Sequence, residues 1–173
     1  DSTPMADVIR YAVDLSDRVG QQPISYLLLL DPTSPCRDPQ AIEAALARLR
    51  EDPTFDGVVS VSRPSFNPLW VGVTVTEAGQ LNPHPMLQES FTRRQDVPDY
   101  WRINGSFYVW RMDYARSIGV QWPREGRFLA APMADLLSHS IDTLEDFLLV
   151  EALLSTGTVT LPWMNSEDSN GAV

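Results

Sequence analysis

Residues 93–108 read Arg-Arg-Gln-Asp-Val-Pro-Asp-Tyr-Trp-Arg-Ile-Asn-Gly-Ser-Phe-Tyr. Arg93, Arg94 and Arg102 sit among amides, two Asp and several aromatics. Arg carries a planar five-donor fork that matches a carboxylate or a phosphate. The stretch therefore predicts a site that grips an anion and stacks against a ring. The plainer reading is a solvated loop ending on an Asn-Gly turn, followed by a buried strand at 106–110. Two carboxylates stand in positions that could do further chemistry. Asp31 closes an apolar run and opens the turn Asp-Pro-Thr-Ser-Pro-Cys-Arg. Asp142 lies just before a helix whose cap would be Thr143. There it serves either as a helix-start acid favouring the dipole or as a metal-binding carboxylate in a loop.

The elements that must position these residues follow from the apolar spacing. Residues 6–18 show helical periodicity, with 2–4 as a plausible start. The run 26–30 predicts a strand buried on both faces, and 39–50 predicts a helix. Residues 57–61 read as a short buried strand, 70–75 as a half-exposed strand through Val71, Val73 and Val75. A short helix near 112–118, a strand at 127–132 and a last helix at 144–154 complete the pattern. This alternation predicts an α/β fold with a mostly parallel sheet. In such sheets ligands bind at the carboxyl ends of strands, where the turn after Asp31 lies. The stretch 64–105 breaks the rhythm and reads as an insertion with its own strands. Residues 155–173 read as a tail that ends polar.

Composition removes several classes of function. The 173 residues carry a net charge of −10, and all 13 basic residues are Arg. Such a chain has no broad basic patch for nucleic acid or an anionic membrane. A P-loop lysine, a lysine nucleophile and a Schiff base are ruled out. His84 and His139 are the only histidines and Cys36 the only cysteine, so no His/Cys zinc spacing exists. His84 sits between two prolines and reads as a surface loop residue. Residues 1–10 do not read as a signal peptide, and with a single Cys this predicts a cytoplasmic protein.

Three motifs occur in order: Leu-Leu-Asp-Pro-Thr-Ser-Pro-Cys-Arg ending at Arg37, Arg-Arg-Gln-Asp-Val-Pro through Asn104-Gly105, and Ser-Ile-Asp-Thr-Leu-Glu-Asp-Phe ending at Phe147. Together they resemble the cytidylyltransferases that activate acylneuraminate and related nonulosonic acids, across nearly all of 1–154. The resemblance implies a Rossmann-like nucleotide-diphospho-sugar transferase fold. It implies a reaction joining CTP to a nine-carbon sugar acid, with Mg²⁺ and release of pyrophosphate. It implies that Asp142 holds the metal and that Arg94 is catalytic. Asp31, Arg93, Asn104 and Tyr108 would line the sugar site, and Ser2 and Thr3 would lie beside the nucleotide. Arg37 would be structural. Residues 64–105 would form a dimerisation arm bringing Arg93 and Arg94 to a partner's site, so a homodimer is expected.

The chain also departs from the family pattern. The family's first strand and its glycine- and lysine-containing CTP phosphate loop have no counterpart, which predicts an N-terminally truncated domain. Ser140 stands where the family often has a second Asp, Trp70 where it has a Lys, and Asp31 where sialic acid enzymes have a Gln. An alternative expectation follows from these departures: a non-catalytic module that binds a sugar acid or assembles with a partner. An eight-carbon acid of the Kdo type is disfavoured by the Arg-Arg-Gln-Asp motif.

Overall fold

The computed structural model describes residues 3–20, 22–83, 91 and 93–164. Among these residues six strands and six helices follow in the order α1 (Met5–Val19), β1 (Tyr26–Leu30), α2 (Pro39–Glu51), β2 (Gly57–Ser62), α3 (Pro68–Val71), β3 (Val73–Val75), β4 (Leu81–Pro83), β5 (Arg102–Arg111), α4 (Met112–Ala115), α5 (Trp122–Glu125), β6 (Phe128–Pro132) and α6 (Leu144–Ser155). The main sheet has the order β1-β5-β2-β6. The α/β class is as the alternation predicts, but the pairing is not mostly parallel. Only β2–β6 is a parallel pair, while β1–β5 and β2–β5 are antiparallel. The cause is a single strand. β1, β2 and β6 point one way, and β5 runs back between β1 and β2, which turns two of the three pairings antiparallel.

β5 alternates its side chains across the sheet, as a strand must. Trp110 faces α1, where Ile9, Val13 and Ala6 supply the buried stripe. Phe107 and Val109 face α2, packing on Ala45 and Leu49. α2 starts on Pro39 after Asp38, whose side chain accepts from Gln40 N at 2.9 Å. Arg111 closes its end, donating to the carbonyls of Leu49 in the last turn and the cap residue Asp52, and to that of Phe55 in the loop beyond. A cation there satisfies the orphan acceptors of a helix end and favours its dipole.

Several local expectations are corrected. β1 is not buried on both faces, because it pairs only with β5 and lies at the sheet edge, with Leu28 and Leu30 exposed. Residues 70–75 are not one strand. Asn67 accepts from Leu69 N and Pro68 presets the first helical position, so α3 forms and ends at Gly72 before β3 begins. Asn104-Gly105 is not a turn ending the loop; both residues lie inside β5, where its register against β2 shifts between Val59 and Val61. Gly105 takes φ 77° there, a region open to glycine and costly for other residues. β3 and β4 pair with each other as a separate two-stranded sheet between β2 and β5. Beyond α6, Val159 and Leu161 are buried with Cys36 and Val150. No helix among the described residues is long and apolar enough to cross a membrane.

Candidate functional site

The turn after β1 is built around Asp31. Its carboxylate Oδ1 accepts from Thr33 N at 3.1 Å and from Thr33 Oγ1 at 2.8 Å. This local closure is what an Asp two residues ahead of a Thr favours. Arg37 Nη1 donates to the Asp31 carbonyl at 2.7 Å and to that of Ser106 at 3.4 Å, tying the turn to β5. Thr33 also ties it to the loop before α6. The Thr33 and Ser140 hydroxyls are 2.9 Å apart, and Ile141 N donates to the Thr33 carbonyl at 2.8 Å. Asp142 is thus carried to the end of β1 by its neighbours.

Asp142 itself is exposed, and its carboxylate has no partner among the described residues. The loop around it is fixed by Asp146, whose Oδ2 accepts from Asp142 N, Thr143 N and Thr143 Oγ1. Thr143 Oγ1 accepts in return from Asp146 N, a reciprocal box that caps α6. These bonds, led by the Thr143 hydroxyl, hold the Asp146 carboxyl below its ordinary range. No group of three His, Cys, Asp or Glu residues that could hold a metal gathers among the described residues. Mg²⁺ commonly binds through one or two carboxylates plus substrate phosphates and water. One exposed, unengaged carboxylate on a fixed loop fits that donor set. Ser140, engaged with Thr33, adds no charge.

Tyr108 and Asp31 meet on the other side of the turn. Both line an apolar cavity of about 270 Å³ with Met5, Leu29, Trp110 and Trp122. Tyr108 stacks on Trp110 at 5.2 Å and meets Trp122 edge-on at 5.7 Å. Burial, and then the Asp31 carboxylate, push the Tyr108 phenol above its ordinary value. A Cβ at Gly105 would lie 3.5 Å from Asp31 Oδ2 and 3.9 Å from the Tyr108 hydroxyl. The glycine leaves that space clear.

Asn104 is buried, and its amide is engaged. Its Oδ1 accepts from Ser60 Oγ at 2.6 Å and from Ser106 N at 3.1 Å. Its Nδ2 donates to Met133 Sδ at 3.6 Å. Arg94 lies elsewhere, in the 3-10 turn Arg94–Asp96, and lines a cavity of about 590 Å³ with Asn67, Trp70 and Tyr100. Arg93 precedes that turn with an exposed side chain. A further cavity of about 350 Å³ shares Arg63, Phe66 and Asp135 with it and adds Arg102, Ser138 and His139. Ser138 and His139 precede the Asp142 loop in the chain. Thr3 is exposed just ahead of α1; Ser2 and His84 lie outside the described residues.

The structure thus joins Asp31, Tyr108 and the Asp142 loop at one strand end and sets Arg94 in a neighbouring cavity of the arm. Sequence reasoning missed Thr33, Ser60 and Arg63. Ser60 had a signal, a hydroxyl inside the run Gly-Val-Val-Ser-Val-Ser. Arg63 had none, since its partner Asp99 is 36 residues away.

The fold has a counterpart among solved structures. It matches the structure of a CMP-2-keto-3-deoxy-manno-octonic acid synthetase complexed with CTP at a TM-score of 0.54 and 17% identity, over 86% of this chain and 68% of that one. In sequence, the chain is 30% identical over 161 residues to the CMP-N,N'-diacetyllegionaminic acid synthase of Legionella pneumophila subsp. pneumophila (strain Philadelphia 1), covering 88% of this chain. The chain is thus similar in sequence to a CMP-sugar-acid synthase, the kind of enzyme its three motifs resemble. It spans 65% of that relative's length. No family model matches it.

Proposed function

We propose that the protein is a CTP-dependent cytidylyltransferase that converts a nonulosonic acid to its CMP-sugar. The anomeric hydroxyl oxygen of the sugar attacks the α-phosphorus of CTP. A new O–P bond forms, the bond from the α-phosphorus to the bridging oxygen breaks, and pyrophosphate leaves; the hydroxyl proton is lost. Catalysis of this kind rests on positioning and on charge stabilisation. Mg²⁺ held by Asp142 would supply neutralisation of phosphate charge. Arg94 and Arg93 would pair with the sugar's carboxylate, while Asp31 and Tyr108 would bound the rest of the ring. Ser2 and Thr3 would flank the nucleotide.

The observation that carries this reading is the junction of the Asp31 turn with the Asp142 loop through Thr33 and Ser140, in a chain homologous to a CMP-sugar synthase. An assembly as a homodimer through the arm belongs to the same reading. It is supported by the β3–β4 ribbon, which exposes Val73, Val75 and Leu81. A cytoplasmic location goes with CTP as a substrate.

The test is pyrophosphate release by the native full-length protein with Mg²⁺, CTP and a panel of nonulosonic acids, with Kdo as competitor. Release with at least one nonulosonic acid is expected. Absence of release across the panel overturns the reading, and saturable sugar-acid binding without release would favour the non-catalytic alternative. That alternative draws on Ser140, whose hydroxyl faces Thr33 where a second carboxylate would add charge.

A further inference from the structure

The cavity that Arg94 lines contains a second arginine with a carboxylate already on it. Arg63 leaves the end of β2, and its Nη1 and Nη2 donate to Oδ1 and Oδ2 of Asp99 at 2.9 and 3.0 Å. This is the fork-to-fork geometry in which Arg recognises a carboxylate. The flat face of the same guanidinium rests on Trp101, with Cζ 4.9 Å from the ring centroid. Cation–π contact of this kind holds the guanidinium plane while leaving its edge donors free to change partners. Both partners come from the stretch just after Arg94, so three groups of one wall and one of the other converge.

The pair is easily exchanged. The Arg63 and Asp99 side chains are 55% and 68% exposed, and an ion pair in that setting is weak because solvent screens it. Asp99 can return to water with little desolvation to reverse. Arg94 has no carboxylate partner among the described residues, so it adds positive charge to the same cavity. Arg63 also borders the cavity lined by Arg102 and His139.

We infer that Arg63 is a substrate-binding residue that reads the carboxylate of the sugar acid, and that Asp99 occupies this place until the ligand displaces it. The inference rests on the proposed substrate class. Trp101 acts as a positioning residue that keeps the fork aimed through the exchange.

The test needs no CTP and no turnover. The native full-length protein is titrated with N,N'-diacetyllegionaminic acid and with its methyl ester, following tryptophan fluorescence. The unsubstituted protein is expected to prefer the acid. Arg63→Ala should weaken acid binding by about tenfold and shrink the preference over the ester by a similar factor. Arg63→Lys should fall between, keeping the charge and losing the fork. Asp99→Asn should tighten acid binding by about threefold or more, because the resident carboxylate no longer competes. A gain of affinity cannot come from misfolding. The inference is overturned if Asp99→Asn weakens binding as Arg63→Ala does, if Arg63→Ala keeps the acid preference undiminished, or if the unsubstituted protein shows none. Failure of pyrophosphate release alone would count against the proposed reaction and leave this binding result standing.

Discussion

At the carboxyl end of β1, most of the polar groups around Asp31 are already bonded to the protein. In the arm cavity, the guanidiniums and carboxylates stand half in water. The first region is fixed by Thr33, Ser140, Arg37 and the Thr143–Asp146 cap. The second is held by one exposed ion pair and one ring face. Under the proposed function, the contrast separates two jobs. A site that must hold a metal and a phosphate in line benefits from a fixed frame. A site that must capture and release a charged sugar benefits from charges whose present partners are weak.

Four substitutions or conditions sharpen that contrast. Asp142→Ala should have the largest effect, lowering Mg²⁺-dependent turnover by about 10² to 10³-fold, the size of losing one charge-stabilising contact at a transition state. Its melting temperature should match the unsubstituted protein, because the carboxylate bonds to none of the described residues. Arg94→Ala should raise the KM for the sugar acid by about tenfold or more and leave that for CTP nearly unchanged. Equal changes in both would remove Arg94 from the sugar carboxylate. Ser60→Ala reverses the pattern. It leaves Asn104 Oδ1 and Phe107 N each short of a partner in a buried sheet. A loss of about 1–3 kcal/mol in urea denaturation is expected, larger than for any exposed arm substitution.

The smallest effect is the pH dependence of the α6 cap. The Asp146 carboxyl is depressed in the folded protein by the Thr143 hydroxyl and by backbone N–H donors, so it binds a proton less readily than in the unfolded chain. Its stabilisation is therefore fully present above the unfolded carboxylate value of about 3.9 and fades as pH falls through the lower folded value. Melting curves of the protein and of Asp146→Asn should differ at neutral pH and converge in acid. A constant difference across that range would show that the cap owes nothing to the charge.

The class of fold was legible because its signals are local. Helix spacing in α1, the Asp38-Pro39 start of α2 and the Thr143 cap each depend on neighbours within a few residues. The reversal of β5 was not legible, because strand direction is set by where the chain returns after the arm. The apolar run of β1 misled for a related reason: four leucines read as a strand covered on both faces, while pairing left it at an edge. Asp31 and Asp142 were readable from their places before turns and helices. Their union was not, since it passes through Thr33 and Ser140, 107 residues apart. The Arg63–Asp99 pair shares that difficulty: each residue is ordinary alone, and only folding gives the pair meaning. Asn104 illustrates the converse. The motif offers it to a ligand, and the fold uses its amide to close the irregularity between β2 and β5.

The most direct measurement is ³¹P NMR of the native full-length protein incubated with CTP, Mg²⁺ and each nonulosonic acid of the panel in turn. The account predicts that with at least one of them the triphosphate signals give way to pyrophosphate and one phosphodiester resonance in equal amounts. CTP unchanged with every acid, or hydrolysed to CMP without a phosphodiester, would contradict it.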